Sequence, residues 1–155
     1  MQAVRSSAAT LIKTGKDHNA FKALPRTETE YLMQAGTKLI SIIPVLESAD
    51  IDRDVAWYKE KAGFEVSFLH EKTYAGLFRD EFQIHLQWHA GTKDDPMNGG
   101  AVVRIGVKNI KPIFEEFKQR GTVGDKDFRA NTPWGTNEFA FSDLNSNVIF
   151  ISEDI

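Results

Sequence analysis

The chain has no cysteine, which excludes disulfides, thiolate metal sites and a Cys nucleophile together. It also lacks a charge excess that would hold a polyanion. A formal net charge of −3 and an isoelectric point near 5.8 leave no basic field for nucleic acid or an anionic membrane. No apolar run approaches the roughly 20 residues that span a bilayer. The N-terminus has none of the apolar segment of a secretory signal, so a cytoplasmic protein is expected. Ser-His-Asp ordering, a glycine-rich phosphate loop and a close carboxylate pair are missing too. What is present is ordinary globular composition. At 155 residues, 41% of them hydrophobic and 26% charged, one domain is the natural prior. A chain of this length buries roughly 70% of its unfolded surface.

Residues 1–36 read differently from the rest. Val4, Ala8, Leu11 and Ile12 have helical spacing, which Thr14, Gly15, Lys16 and Asp17 end. A second short helix has a capping box in Thr27 and Glu30, apolar surface in Tyr31 and Leu32, and a stop at Gly36. The absence of acids before Asp17 is a faint feature of organelle-targeting peptides. The preferred reading is an N-terminal helical arm that packs on the domain or on a partner subunit, with the domain itself over 37–155.

From Lys38 the chain reads strand, helix, strands, and does so twice. Leu39 to Val45 is apolar and β-branched, and Asp50 then caps a helix whose Ile51, Val55, Tyr58 and Ala62 share a face, with Gly63 as its stop. Phe64 to Leu69, Tyr74 to Phe78 and Phe82 to Trp88 are three expected strands, with Gly76 marking a bulge in the second. After the loop Gly91 to Gly100, Ala101 to Val107 repeats the first strand. Asn109 caps a helix carrying Ile110, Ile113, Phe114 and Phe117, and Gly121 stops it. Shorter strands are expected around Val123, Phe128, Phe139 and Val148. Asp143, Asn145, Ser146 and Asn147 supply the turn before the last of them. The two caps lie about 59 residues apart, so the pattern predicts an α+β fold of two βαβββ modules, about 38–90 and 101–153. Helices on one side of each small sheet leave the other faces to enclose a cavity.

Two stretches carry a resemblance. Residues 44–64, with an Asp before a helix bearing Trp57-Tyr58 and then Ala62-Gly63-Phe64, resemble the first module of the glyoxalase/bleomycin-resistance/dioxygenase superfamily, the vicinal oxygen chelate fold. Residues 132–151, with Trp134-Gly135, Phe141-Ser142-Asp143 and a final apolar strand, resemble its closing hairpin. The turn departs from the family's Asp-Pro-Asp-Gly-Asn, reading Asp143-Leu144-Asn145-Ser146-Asn147. The resemblance covers about Leu39 to Ile151 and implies an open barrel of two modules, usually paired with a second copy.

The family's enzymes hold a divalent metal with four ligands, one on the first and one on the last strand of each module. Counting from Asp50, Asn109 and Asp143 puts those positions at Ile43, Val102, Phe150 and near His85. One donor in four does not hold a catalytic metal, so neither a metal nor another cofactor is expected. His89 shares a face with His85 but lies roughly 13 Å along the strand, too far to chelate one ion, and is expected at an exposed strand end. The resemblance then implies the metal-free, ligand-binding branch, whose members sequester a drug or small planar metabolite. The expected ligand-binding residues are His85, Gln87, Arg104, Trp134, Phe139 and Phe150, with Phe68 as further wall. Trp134 and the Phe side chains would stack on a planar ligand, and His85, Gln87 and Arg104 would orient it. Structural alternatives stand beside these roles, and in the first of them Gln83, His85 and Gln87 form only an exposed sheet face. In the others Arg104 pairs with Glu138 or Asp143, or Trp134 plugs a sheet edge. Trp57 and Tyr58 are expected in the core. The alternative functions are a glyoxalase-like or dioxygenase-like lyase, isomerase or oxygenase, a metal-free enzyme with His85 as base, and a protein that binds a partner through its N-terminal arm.

Overall fold

Asp50 ends the first strand and begins the first helix. In the computed structural model, which describes residues 40–155, β1 is Val45–Ser48 and α1 is Ile51–Ala62. The Asp50 carboxylate accepts from the Arg53 amide at 3.0 Å. Asp52 and Asp54 occupy the first turn and Lys59 and Lys61 the last, as the helix dipole favours. Gly63 takes φ +69°, and the Phe64 amide folds back to the Tyr58 carbonyl. The strand expected from Leu39 starts six residues later. Pro44 has no amide to give a ladder, and Ile40 and Ile42 stand exposed ahead of it. The expected N-terminal arm lies outside the described residues.

Three antiparallel strands follow, β2 (Glu65–His70), β3 (Tyr74–Arg79) and β4 (Phe82–Trp88), and β1 joins them parallel to β4 in the order β1-β4-β3-β2. The bulge expected at Gly76 lies on the facing strand, where the register slips between Val66 and Phe68. Gly76 serves that strand differently. A Cβ there would sit 2.3 Å from the Phe68 ring, so the missing side chain is the space the ring occupies.

The second module repeats the plan with β5 (Val102–Gly106), α2 (Ile110–Gln119), β6 (Thr136–Ser142) and β7 (Val148–Asp154), ordered β5-β7-β6 with β5 parallel to β7. The strand expected near Val123 and Phe128 is reduced to a single bridge, Arg129 to Glu138. Asp127 closes a 3-10 turn instead, its carboxylate accepting from the Gly124 amide at 2.8 Å. Asn109 precedes α2 as expected but does not cap it with its side chain. It sits at φ +59°, and the Glu153 carboxylate of β7 accepts from the Asn109 and Ile110 amides.

Each sheet packs one face on its helix. Leu46, Ala75, Leu77, Ile84 and Leu86 meet Tyr58 and Ala62, while Phe139, Phe141, Ile149 and Ile151 meet Phe114 and Phe117. The modules join along their helices and the closing turn. The Tyr58 hydroxyl donates to Asp143 at 2.8 Å. Burial first, and then the Asp143 charge, push that phenol far above its ordinary value. Asn145 donates to buried Asp54 at 2.6 Å and accepts from the Ala49 amide and from Arg53. Asp143 accepts the amides of Asn145 and Asn147, so the turn is built by the side chains its sequence supplies. The helix-free faces of both sheets are left for function.

Candidate functional site

On the free face of the second sheet, alternation brings Val102 and Arg104 of β5, Val148 and Phe150 of β7, and Thr136 and Glu138 of β6 to one side. Arg104 lies directly opposite Phe150. Its guanidinium sits 5.1 Å over that ring and reaches across to Glu138 at 3.0 Å. Glu138 is 1% exposed. The same oxygen, Oε2, accepts from the Trp134 indole N–H at 3.2 Å and from the Thr136 hydroxyl at 3.1 Å. Its other oxygen, Oε1, has no hydrogen-bond partner, with the Arg129 guanidinium 3.7 Å away. Burial pushes this carboxyl up, but the bonds from Trp134, Arg104 and Thr136 and the Arg104 charge hold it below the usual carboxylate range. The face therefore carries a fixed negative charge under two guanidiniums.

The first sheet presents a different set. Gly76 of β3 lies between His85 of β4 and Phe68 of β2, and Tyr74 is opposite Gln87. The Tyr74 hydroxyl and His85 Nδ1 are 3.0 Å apart, and the Phe68 ring meets the imidazole edge-on at 5.2 Å. His85 Nε2 is buried with no hydrogen-bond partner. Beside it, Glu47 of β1 pairs in register with Gln87 and accepts from the Gly99 amide, which anchors the long loop at the sheet's edge.

Five of the six expected site residues therefore fall into two groups, one on each sheet. Arg104, Trp134 and Phe150 meet around Glu138. His85 lies on the other sheet, tied to Tyr74, with Gln87 two residues on. Phe139 belongs to neither. Alternation turns it away from Glu138 into the helix-facing core, 1% exposed and packed on Phe114 and Phe117, where no ligand reaches it. Glu138, one of the two acids weighed as partner for Arg104, is the one that pairs, while Asp143 faces Tyr58. His89 is held rather than exposed, its Nδ1 2.7 Å from Asp95 of the following loop. Arg129 and Tyr74 were not among the expected site residues. Strand alternation would have offered Tyr74, but nothing local marks Arg129, which enters through its bridge to Glu138. A groove of about 530 Å³ lies between the modules, lined by Ile42, Pro44, Glu81, Phe82, Ile84 and Arg104.

The register also tests the metal. The β1 residue facing His85 is Val45, and the β5 residue facing Phe150 is Arg104. The first-strand positions thus sit two residues beyond Ile43 and Val102. A set of one imidazole, one guanidinium and two apolar side chains does not fit a divalent cation. Among the described residues no three His, Asp or Glu side chains gather as a metal site.

These are the features of a two-module scaffold with a polar and aromatic free face on each sheet. No family model matches the chain. A bleomycin resistance protein from Geobacillus stearothermophilus is 27% identical over 131 residues, covering 76% of this chain and 98% of the relative. A bleomycin-binding protein from bleomycin-producing Streptomyces verticillus, solved with copper(II)-bleomycin, superposes with a TM-score of 0.61 at 21% identity, covering 77% of this chain and 99% of that one. A glyoxalase-related enzyme from Clostridium phytofermentans gives 0.60 at 18%, over 77% and 98%. The chain thus has the fold of the bleomycin-binding and glyoxalase-related structures, two small sheets each packed on a helix.

Proposed function

We propose that the chain is a small-molecule-binding protein of the bleomycin-resistance type, one that sequesters a drug or planar metabolite in a cleft without altering it and without a metal. The observation that carries this reading is Arg104 lying over Phe150, a cation on an apolar ring where the superfamily's enzymes place metal ligands. The relatives named for bleomycin support the ligand class. Phe150, Arg104 and Trp134 form the stacking side of the cleft, and His85 and Gln87 its hydrogen-bonding side. Because those two sides lie on different sheets of one chain, the reading includes a homodimer that brings one protomer's first sheet to its partner's second. Residues 37–155 form the binding domain, residues 1–36 an accessory arm, and the setting is the cytoplasm, where a chain without cysteine loses nothing.

Calorimetric titration with metal-free bleomycin and with planar aromatic compounds tests the ligand class. Trp134→Ala is expected to weaken a bound compound by roughly ten-fold, the scale of one lost aromatic contact. Unchanged affinity in that variant would remove Trp134 from the site. Mass spectrometry after equilibration with Ni, Zn, Mn and Fe(II) and desalting tests the rest. A stoichiometric metal would replace this reading with a lyase, isomerase or oxygenase.

A further inference from the structure

We propose that the free face of the second sheet takes an aromatic anion, an aryl carboxylate or sulfonate in chemical class, with Arg104 holding the anionic group. This rests on the reading of that face as a small-molecule site and adds the charge of its ligand.

A guanidinium carries five N–H donors in one plane. Arg104 spends Nη1 on Glu138, its guanidinium carbon lies 5.1 Å from the centre of the Phe150 ring, and its side chain is 48% exposed. Its other N–H donors make no hydrogen bond within the described residues, and the ring and the carboxylate restrain the group that bears them. Arg129, 61% exposed, approaches the other Glu138 oxygen only at 3.7 Å, too long for a hydrogen bond. Two cations thus share one carboxylate whose Oε2 already accepts three donors. The other acid on this face of the strands, Asp154, stands at the exposed end of β7 opposite Thr136, four residues beyond the Phe150 that faces Arg104. An incoming carboxylate meets in-plane donors on Arg104, and the ring it carries lies along the aromatic surface beside them. An incoming ammonium meets two guanidiniums.

Three compounds of one ring system separate the possibilities: 2-naphthoate, 2-naphthalenemethanol and 2-naphthylmethylammonium, titrated calorimetrically into the full chain. The expected order is carboxylate, alcohol, ammonium, with roughly ten-fold between the first two, as one charge-assisted bond supplies. Arg104→Gln is expected to weaken the carboxylate more than the alcohol, so that the roughly ten-fold ratio between them falls to about one, and Arg104→Lys to restore part of that ratio. Arg129→Gln, which keeps Arg104 on Phe150, is expected to lower the preference by less. Equal binding of carboxylate and alcohol, tighter binding of the ammonium, or a preference that survives Arg104→Gln would overturn the anion proposal and leave the small-molecule site standing. Failure of all three to bind would remove the site itself. Unchanged circular dichroism and melting temperature in Arg104→Gln exclude misfolding as the cause of any loss.

Discussion

A carboxylate that is 1% exposed stays charged only where its donors outweigh the water it has lost, and Glu138 has Arg104, Trp134 and Thr136 doing so. Its folded carboxyl lies below the ordinary value of 4.5, so the unfolded chain binds that proton more tightly than the native one. The stabilisation is therefore complete above that ordinary value and drains as pH falls below it. Urea denaturation at a series of pH values is expected to show Glu138→Gln less stable than wild type at pH 7 by about 1–3 kcal/mol, the cost of leaving buried donors and two guanidiniums without their anion. The gap is expected to narrow below pH 4.5, and a gap independent of pH would mean that the charge of Glu138 is not what holds the face together. Glu116, between Arg79 and Arg120, is pushed up by burial but further down by those two bonds, so it adds to the same acid-side loss.

At the scale of the element, what was legible in the sequence was what neighbours in sequence decide. Asp50 and Gly63 bound α1 because a cap and a left-handed stop act within one turn, and Asp143 to Asn147 form their turn from their own side chains. The start of α2 was not legible in the same way. Its cap comes from Glu153, about 43 residues on in sequence, and only the β5–β7 pairing brings it there. Glu153→Ala is expected to cost about 1 kcal/mol in urea denaturation, the usual worth of a cap. Asn109→Gly, at φ +59°, is expected to cost a few tenths or nothing, whereas β-branched Asn109→Val there is expected to cost more. The bulge assigned to Gly76 failed for a related reason, since the glycine answers a ring on the next strand. Gly76→Ala is expected to destabilise by about 1 kcal/mol by overpacking. Combining it with Phe68→Ala is expected to abolish most of that penalty, whereas additive losses would show that the ring is not the obstacle. The candidate site was legible to the same degree. Period-two alternation placed Arg104 and Phe150 on one face, and the same alternation, applied to Glu138, would have sent Phe139 to the core.

For the whole molecule the open question is which two faces close a cleft. Within one chain the modules are joined through α1, α2 and the Asp143 turn, by Tyr58 to Asp143, Asn145 to Asp54 and Arg79 to Glu116, all on the side away from the free faces. On the proposed reading His85 and Arg104 meet in one cleft where two protomers exchange faces, which a two-fold axis accomplishes twice per dimer. Mixing variants tests this without a dimer structure. His85→Asp and Arg104→Glu are each expected to abolish binding of whichever aromatic compound the wild type takes, by at least the roughly ten-fold of one lost contact. If each cleft draws His85 from one protomer and Arg104 from its partner, a heterodimer of the two variants carries both changes in one cleft and neither in the other. Unfolding and refolding an equal mixture would then restore about a quarter of the clefts to wild-type affinity, since random pairing makes half the dimers mixed. A cleft built within one chain gives no recovery, because every chain in the mixture carries one of the two changes. Sedimentation of the wild type belongs beside this experiment. A monomer at the concentrations used would remove the shared cleft outright, and the two faces would have to be treated as separate sites, with the aromatic and cationic one on the second sheet as the place to look for the ligand.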